Sequence, residues 1–439
     1  MRAPDLNPVS TKRQRIAELA KQAPQMSFTS LHHHVDYAWM MEAYRRTRKD
    51  GALGIDGQTA EAYEKRLEEN LRSLLDRAKG GTYKAPPVRR VHIPKGKGNE
   101  TRPIGIPTFE DKILQRAVAM VLEAIYEQDF LDCSYGFRPG RSARQATDEL
   151  WTRATKAKAK WLLEVDIRKF FDTLDHAHLR TFLQRRVRDG VLRRLIDKWL
   201  KAGVMEDGAW TQPTAGSPQG GVISPILANV YLHYVLDEWF YETVQQHLIG
   251  ESFLIRYADD FVIGFTHESD ACRVTAVIPK RFAKFGLTVH PDKTRLIRFH
   301  RPRNRNDTRP KPDTFDLLGF TFYWKKSRRG QWAVGQKTAT DRFARGIRNI
   351  SDWCRRHRHR PLREQHATLV RKVRGHYQYY GVRGNSASLA SFRYRVVHVW
   401  RKWLGRRRRD GQISWRDYLR LLERYPIPSA RLQPSVANP

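Results

Sequence analysis

The chain has very little cysteine: three residues in 439, at Cys133, Cys272 and Cys354. They lie far apart, which excludes a small disulfide-stapled fold and a CxxC metal or redox pair. Long apolar runs are also missing, because none approaches the roughly 18 residues that cross a bilayer. The N-terminus has no apolar signal segment. We therefore expect a reducing compartment, no membrane partner and a cytoplasmic protein.

Acidic residues are scarce relative to basic ones, with 46 Asp and Glu against 81 Lys and Arg, a formal net charge of +35. An excess of this size repels itself unless an anionic partner offsets it. The chain also has 12 Trp, 17 Tyr and 19 Phe, and aromatic side chains beside basic ones favour nucleic acid over a membrane surface. A hydrophobic content of 40% excludes disorder throughout, and the length predicts two or three packed units.

Hydrophobic periodicity predicts helices at Tyr37–Arg46 and Ala60–Ala78, followed by a basic β-hairpin over residues 82–107. Residues 335–410 hold 21 Lys and Arg against 4 Asp and Glu, and they show helical periodicity with basic faces. This shift in composition predicts a domain boundary near 325–335.

Two acidic motifs stand at the ends of predicted strands. Asp166 closes the apolar run WLLEVD, and Asp259–Asp260 occupy the tip of a hairpin predicted for FLIRYADDFVIGF (253–265). Adjacent carboxylates repel unless they share a cation, and oxygen ligands without a His or Cys cluster select a hard ion such as Mg²⁺. Two such ions serve in-line phosphoryl transfer. A lone Asp-Asp is more often a solvated turn, but this combination in a strongly basic chain favours the metal interpretation.

A series of motifs in a fixed order then points to a family. TYKAPPVRRVHIPKGKGNETRPIGIPT, GFRPGRS, VDIRKFFDTLDH, GSPQGGVISPILANVYL, RYADD, GLTVHPDKT and LLGF resemble the successive blocks of group II intron-encoded reverse transcriptases. RGHYQYYGV and VWRKWLGRRRRDGQISWRDYLRLLERYPIP resemble the thumb of that family, also called the maturase domain or domain X. The likeness covers almost all of residues 10–430.

The resemblance implies an α+β fold, a right-hand polymerase with fingers and palm followed by a C-terminal α-helical thumb. The implied domains are an N-terminal helical extension (1–80), reverse transcriptase fingers and palm (81–330), the thumb or maturase domain X (331–410) and a short residual DNA-binding tail (411–439). It also implies an enzyme, an RNA-directed DNA polymerase with two Mg²⁺ ions.

The resemblance assigns metal ligation and catalysis to Asp166, Asp259 and Asp260, with the carbonyl of Ile167 as a further ligand. Contacts to the dNTP and the primer–template are implied at Lys95, Arg102, Phe170, Phe171, Gln219, Gly220 and Lys293. A triphosphate needs cations from a closing hairpin, although a solvated basic hairpin is the alternative for Lys95 and Arg102. One of the two phenylalanines should stack on the sugar, with Phe171 the better match, while the other packs in the core. Lys293 is nearly as well explained as a surface lysine.

The thumb is the candidate for binding structured RNA. The implied contacts are Arg374, Arg401, Lys402, Arg406, Arg407, Arg408 and Arg409. Aromatic residues interleave with them, namely Trp400, Trp403, Tyr377, Tyr379 and Tyr380. Stacking combined with phosphate pairing holds RNA, whereas amphipathic helices bury aromatics inward, and we expect both on opposite faces.

The chain stops about 30 residues after RRRRDG, without a CxxC-containing nuclease block, so we expect no target cleavage by the protein itself. The resemblance implies intron RNA, an RNA template with a DNA primer, dNTPs and target DNA as partners, in a bacterial, nucleoid-associated setting. Two alternatives stay open: a splicing cofactor with an idle polymerase site, and a domesticated reverse transcriptase in DNA repair or defence.

Overall fold

A computed structural model of the chain describes residues 8–94, 101–156, 159–206, 209–211, 216, 220–302, 312–327, 329–407, 411–430 and 432. The α-helices within these ranges are α1 Pro8–Gln22, α2 Tyr37–Arg46, α3 Ala60–Glu64, α4 Leu67–Gly80, α5 Phe109–Tyr126, α6 Ala143–Lys156, α7 Phe170–Thr173, α8 His176–Arg186, α9 Gly190–Lys201, α10 Ser224–Leu232, α11 Glu268–Ala283, α12 Thr340–His357, α13 Leu362–Tyr380, α14 Ser386–Gly405 and α15 Trp415–Arg424. After α10 the chain continues in π-helical turns over His233–Asp237 and Trp239–Val244, and short 3-10 helices cover His32–His34 and Gln245–His247. Among them, no helix has both the length and the apolar character needed to cross a membrane.

The strands within the same ranges form three sheets. The strands are β1 Val88–Pro94, β2 Thr101–Ile106, β3 Trp161–Val165, β4 Val204–Glu206, β5 Ala209–Thr211, β6 Ser252–Tyr257, β7 Asp260–Phe265, β8 Arg295–Arg298, β9 Phe315–Leu317, β10 Phe320–Lys326 and β11 Trp332–Thr338. The N-terminal sheet has the order β2-β1-β4-β5, the central sheet β6-β7-β3-β8, and the C-terminal sheet β11-β10-β9.

Helix α5 is buried on almost every side and organises the N-terminal half. Helices α1 and α2 pack against it, and Trp39 of α2 donates its indole Nε1–H to the carbonyl of Ala117 over 2.9 Å. Thr108 caps the helix by accepting from the backbone N–H of Asp111. The apolar residues of α5 thus face several elements at once, which explains why it is apolar all round rather than on one stripe.

The helix predicted over Ala60–Ala78 is broken into α3 and α4. Arg66 leaves the helical region, with φ −130° and ψ 46°. The side-chain amide of Asn70 donates to the carbonyl of Tyr63 over 2.9 Å. This hydrogen bond satisfies a carbonyl at the end of α3, where the break leaves it without a helical partner. Periodicity alone did not reveal the interruption, because both pieces keep the same apolar spacing.

The central sheet is antiparallel and has a hydrophobic core on each face. Leu163 and Leu254 belong to the large core that also holds α5, α8, α10 and α11. Leu162 and Ile255 point to the opposite face, where α6 and the C-terminal sheet cover them. Side chains alternate along a strand, so a sheet covered on both faces carries the nearly continuous apolar runs seen in its sequence. The predicted hairpin over 253–265 is confirmed as β6 and β7.

The predicted basic hairpin is confirmed as β1 and β2, with Arg102 opposite Ile93. Strand β1 also pairs in parallel with β4. The tip of this hairpin, including Lys95, lies outside the described residues.

The change from strands to helices comes at Ala339, a few residues beyond the expected interval of 325–335. Strand β11 pairs with β10 from Trp332 to Thr338, so the C-terminal sheet continues through that interval. Helices α12 to α15 then form a separate core around the buried Trp400. We call α12 to α15 the C-terminal helical unit.

Candidate active site

The β6–β7 hairpin brings two carboxylates to one edge of the central sheet. Tyr257 pairs with Asp260, which leaves Ala258 and Asp259 as a two-residue turn. Ala258 has a φ of 58°, a conformation that L residues rarely adopt, so the surroundings must hold it in place. Gly136 packs against this turn so closely that an added Cβ would lie 2.3 Å from the backbone nitrogen of Ala258.

The third carboxylate comes from the neighbouring strand. Val165 of β3 pairs with Phe261 of β7, so the next residue, Asp166, lies beside Asp260. The backbone carbonyl of Asp166 accepts from the N–H of His290 over 2.8 Å, which anchors the end of β3. Ile167 is buried and bridges to Val289. We call Asp166, Asp259 and Asp260 the carboxylate cluster.

The carboxylates of the cluster disfavour each other's charge. Partial burial raises the pKa of Asp260 to about 6, and the charges of Asp259, Asp166 and Glu164 add to the rise, while Arg102 opposes it. Burial also raises the pKa of Asp259, with a further contribution from Asp166. Asp260 is nevertheless exposed to solvent, and Asp259 is half-buried. Such a group of negative charges is stabilised by a cation.

The donor set is one of oxygen atoms only, which fits a hard cation such as Mg²⁺. Among the described residues, however, no three His, Cys, Asp or Glu side chains converge closely enough to ligate one ion. The Nζ of Lys293 lies 3.5 Å from Oδ2 of Asp166. To hold a metal ion, the carboxylates would therefore have to rotate toward one another, and the ammonium group of Lys293 would have to move away from Asp166.

An open cleft of about 1000 Å³ adjoins the cluster. Its walls come from β3, β7, the segment before β8, the β9–β10 turn and the start of α12; they include Glu164, Asp166, Asp260, Lys293, Arg295, Asp316, Gly319, Asp341 and Arg342. The cleft thus connects the cluster with the C-terminal helical unit. Arg342 was not singled out from the sequence, because nothing local distinguishes it from the other arginines of α12.

The other predicted substrate contacts are distributed as follows. Arg102 is exposed on β2, and its charge acts on Asp259 and Asp260. Gly220 has a φ of +117°, and an added Cβ would lie 2.6 Å from the carbonyl oxygen of Gly105. Gln219 and Lys95 lie outside the described residues.

The two phenylalanines have different environments. Phe170 is 2% exposed and packs in the core against Phe171 and Tyr231, so its assignment as a substrate contact is not supported by its position. Phe171 is half-buried at the surface of the same core. Of the pair, Phe171 is the one with a face that a substrate can reach.

The basic residues predicted to bind RNA lie on the C-terminal helical unit and differ in exposure. Arg374, Lys402, Arg406 and Arg407 are exposed, whereas Arg408 and Arg409 lie outside the described residues. Arg401 is partly internal, because its Nη2 donates to the carbonyl of Ile413 over 2.7 Å and its guanidinium covers the ring of Trp415 at 4.1 Å.

The aromatic residues divide in the same way. Trp400 and Tyr377 are buried in the core of the helical unit and are not available to stack on RNA. Arg406 covers the ring of half-buried Trp403 at 5.1 Å, which leaves a cationic and aromatic surface beside the core. The inward packing of Trp400 and Tyr377 is thus observed, and the RNA-binding face stays a prediction.

A buried network supports the hairpin, and sequence reasoning missed it. Arg256 donates to both carboxylate oxygens of Asp237, at 2.8 and 2.5 Å, and its Nη1 donates to Asn229 Oδ1 and to the carbonyl of Ala258. The signal was present: an arginine in the otherwise apolar strand SFLIRY requires an internal partner. That partner lies 19 residues away, outside the reach of local patterns.

Comparison with known proteins matches residues 93–322 to the family model described as reverse transcriptase (RNA-dependent DNA polymerase). This segment includes the carboxylate cluster, Arg102 and Lys293.

Individual relatives extend the match. The chain is 42% identical over 180 residues to the group II intron-encoded protein LtrA of Lactococcus lactis subsp. cremoris, which covers 41% of this chain and 29% of that protein. It is 32% identical over 365 residues to protein YkfC of Escherichia coli, covering 74% of this chain and 91% of that protein. A third relative, the putative COX1/OXI3 intron 1 protein of Saccharomyces cerevisiae, is 27% identical over 377 residues, with 67% and 45% covered.

The match thus spans nearly all of the Escherichia coli relative but less than a third of the Lactococcus protein. These names confirm the resemblance inferred from the motifs. By the family model and by its similarity over most of a full-length relative, the chain belongs to the reverse transcriptase (RNA-dependent DNA polymerase) family.

Proposed function

We propose that this protein copies RNA into DNA, using dNTPs, an RNA template with a DNA primer, and two Mg²⁺ ions held by the carboxylate cluster. The observation that carries the proposal is the gathering of Asp166, Asp259 and Asp260 at one edge of the central sheet, where burial and the neighbouring negative charges raise the pKa of Asp259 and Asp260. The membership of the chain in the reverse transcriptase family rests on the family match.

In this proposal the central sheet is the palm, the N-terminal sheet belongs to the fingers and the C-terminal helical unit is the thumb. The cleft between the carboxylate cluster and α12 is then the path of the primer–template duplex. The open form of the cleft and its position beside the cluster support this assignment.

Bound Mg²⁺ would activate the primer 3′-hydroxyl and stabilise the negative charge on the transferring and leaving phosphates. The residues of the chain supply binding and orientation. Asp166, Asp259 and Asp260 hold the ions, with the carbonyl of Ile167 as a further donor. Arg102 neutralises the triphosphate from the side of β2, since its charge already reaches Asp259 and Asp260. Lys293, which now lies 3.5 Å from Asp166, would be free to contact a phosphate once Asp166 held a metal ion.

The same proposal gives two residues a role in fitting the nucleotide. The exposed face of Phe171 stacks on the sugar and excludes a 2′-hydroxyl by contact. Gly220 brings backbone close to β2 without a side chain between them, as the short distance to Gly105 supports.

Primer extension on an RNA template with dNTPs and Mg²⁺ tests the proposal, with wild type compared to Asp259→Ala. A matched control is Asp313→Ala. Asp313 is exposed and accepts from the backbone N–H of Arg298, at the end of β8 that lies away from the cluster.

We expect extension by wild type and by Asp313→Ala, and none by Asp259→Ala. If no protein extends while all of them bind the template, the polymerase proposal fails. The remaining function is then that of an RNA-binding splicing cofactor.

We further propose that the protein binds a group II intron RNA and assists its splicing and mobility. Its relatives include a group II intron-encoded protein and intron proteins. The exposed basic residues Arg374, Lys402, Arg406 and Arg407 of the C-terminal helical unit support the proposal, since such residues bind phosphates and Lys402 and Arg406 lie over the aromatic ring of Trp403. The proposal includes target DNA as a partner and a nucleoid-associated setting.

Salt dependence tests the electrostatic part. Binding of intron RNA should weaken steeply between low and moderate salt, and Arg406→Ala should reduce the slope of log affinity against log salt by about 1. Arg273→Ala is the control, because Arg273 is exposed on α11 and lies near Asp270. A flat salt response, or an equal change in both variants, would contradict RNA binding through this surface.

A further inference from the structure

A chain of buried polar groups runs from the start of α5 to the segment before α10. Asp111 is 2% exposed and accepts from the hydroxyl of Tyr83, from Trp199 Nε1 at 2.7 Å and from Gln115 Nε2 at 2.9 Å. Gln115, also buried, accepts from the backbone N–H of Ile223 at 3.3 Å. The described residues include no Lys or Arg that forms an ion pair with Asp111. Its charge is held by three neutral donors.

The chemistry of Asp111 determines which way Gln115 faces. An ionised carboxylate only accepts hydrogen bonds, so Gln115 must turn its amide nitrogen to Asp111. The amide oxygen of Gln115 then faces Ile223, where it meets an N–H donor. Burial raises the pKa of Asp111 to about 6, against the effect of its three donors, so the carboxylate is ionised at neutral pH.

The other end of the same segment has its own anchor. His176, at the start of α8, is 8% exposed, and its Nε2 lies 2.6 Å from the carbonyl oxygen of Gly216. The N–H of Gly216 donates to the carbonyl of Leu174 over 2.8 Å. Because a carbonyl only accepts, Nε2 must carry the hydrogen.

Between the two anchors, Gly220 presses against β2. Its close approach to the carbonyl of Gly105 joins the segment to the strand that carries Arg102. Residues 217–219 lie outside the described residues, so the contacts that matter here are those of Gly216 and of residues 220–223. Movement at Ile223 would therefore be passed through Gly220 to β2, the strand that carries Arg102.

We infer that Asp111, Gln115 and His176 are positioning residues. Asp111 and Gln115 hold residues 220–223 against β2, His176 holds Gly216, and together they set where the incoming dNTP binds. The inference rests on the proposed polymerase function. None of the three touches the carboxylate cluster, so their effect should fall on the nucleotide rather than on the metal.

An exchange of acid and amide tests this directly. In Asp111→Asn, the new amide turns a donor toward Gln115, which can no longer satisfy both that amide and Ile223. In Gln115→Glu, two carboxylates face each other. In the double variant, the amide at position 111 donates to the carboxylate at position 115, which still accepts from Ile223. Tyr83 and Trp199 keep an acceptor in the oxygen of the new amide. The number of hydrogen bonds and the total charge are restored.

Single-nucleotide incorporation gives the readout. We expect each single variant to raise the KM for dNTP about tenfold, the effect of one lost hydrogen bond, with the affinity for primer–template unchanged. The double variant should return to within about twofold of wild type, as expected for coupled partners. His176→Phe, which removes the donor at the other anchor, should raise the same KM.

The matched control is Gln365→Leu. Gln365 is 1% exposed in α13 and also makes three hydrogen bonds, to the carbonyls of Arg358 and Arg360 and from Trp400 Nε1. The substitution should lower the melting temperature without changing the KM for dNTP.

The inference is overturned if the Asp111 and Gln115 variants lose thermal stability like Gln365→Leu and keep the wild-type KM, or if the double variant is no better than the singles. A wild type that incorporates no nucleotide would overturn the proposed function and this inference together. Wild-type incorporation with unchanged KM in the variants would overturn the inference alone.

Discussion

Asp237 and the carboxylate cluster both lie near the β6–β7 hairpin, but they differ in burial and in ion pairing. Asp237 is fully buried, and the equally buried Arg256 donates to both of its oxygens. The carboxylate cluster lies at the sheet edge, open to a cleft, and its ion pair among the described residues is the 3.5 Å approach of Lys293 to Asp166. Arg256 and Asp259 are three positions apart on one hairpin.

This difference in ion pairing separates a structural carboxylate from carboxylates that can bind a cation. A buried charge is tolerated when its partner and the remaining hydrogen bonds are built in, and the Arg256 guanidinium uses its other donor on the turn that presents Asp259. The cluster has no such internal partner for Asp259 and Asp260 within the described residues, so a cation from solvent would relieve its repulsion. Asp237 stabilises the hairpin, and the cluster is available for metal.

Removing the buried partner should have the largest effect on folding. Asp237→Ala leaves the Arg256 charge buried and unpaired, which costs about 3–5 kcal/mol. Urea unfolding followed by circular dichroism measures the loss. The control is Asp197→Ala, since the Arg180–Asp197 pair is partly exposed and worth less than about 1 kcal/mol. Equal losses of unfolding free energy in Asp237→Ala and Asp197→Ala would contradict the structural role of Asp237.

Neutralising the cluster should act on catalysis and not on folding. Asp260→Asn should lower the rate of primer extension by about a thousandfold, the effect of losing metal-based charge stabilisation. Its unfolding midpoint should not fall, because the substitution removes a repelled charge. Pre-steady-state extension and urea unfolding of the same preparation check both halves. If Asp260→Asn lowered the free energy of unfolding as well as the rate of extension, the cluster would have a structural role like that of Asp237.

Mg²⁺ should stabilise the wild-type protein through the cluster. With about 10 mM ion and a Kd of about 1 mM, the gain is about 1.4 kcal/mol. Thermal unfolding with and without MgCl₂, at ionic strength matched by KCl, measures it. We expect no gain in Asp259→Ala and a full gain in Asp313→Ala, because Asp313 is exposed and lies away from the cluster. The same gain in Asp259→Ala would locate the ion elsewhere.

Lys293 should give the smallest effect, because the Lys293–Asp166 pair is half-exposed and such pairs contribute about 0–1 kcal/mol. Lys293→Ala should lower kcat/KM for dNTP by less than about tenfold. It should also lower the Mg²⁺ concentration needed for half-maximal extension, since a competing cation is gone. Lys293→Gln is the control of similar length. A larger Mg²⁺ requirement in both variants would show that the ammonium does not compete with metal at Asp166.

Local patterns were enough for the elements that carry the cluster. Two β-rich halves around the acidic Asp259–Asp260 turn predicted the β6–β7 hairpin, and two short alternating strands around a turn predicted the basic β1–β2 hairpin. Periodicity did not reveal the break before Leu67, because both pieces of the helix keep the same apolar spacing. The domain boundary near 325–335 was predicted from composition, and composition does not show that β11 pairs with β10 as far as Thr338.

For the candidate site, the sequence located the carboxylates but did not show which aromatic residues are buried. The motif order located Asp166, Asp259 and Asp260, and the structure brings them to one sheet edge. Their convergence on a metal, and the roles of Lys95 and Gln219, stay predictions. Phe170 and Trp400 had to be seen in the fold, because an aromatic residue beside a functional motif looks the same in sequence whether it packs inward or outward.

The sequence by itself determined the family, the basic character that calls for an anionic partner, and the positions of the three carboxylates, since each depends on residue types at short spacing. Only the tertiary structure decided which charges are paired. Asp237 lies 19 residues from Arg256, and Gln115 lies 108 residues from Ile223. Hydrogen bonds and burial depend on distance in space, and folding alone brings those groups together.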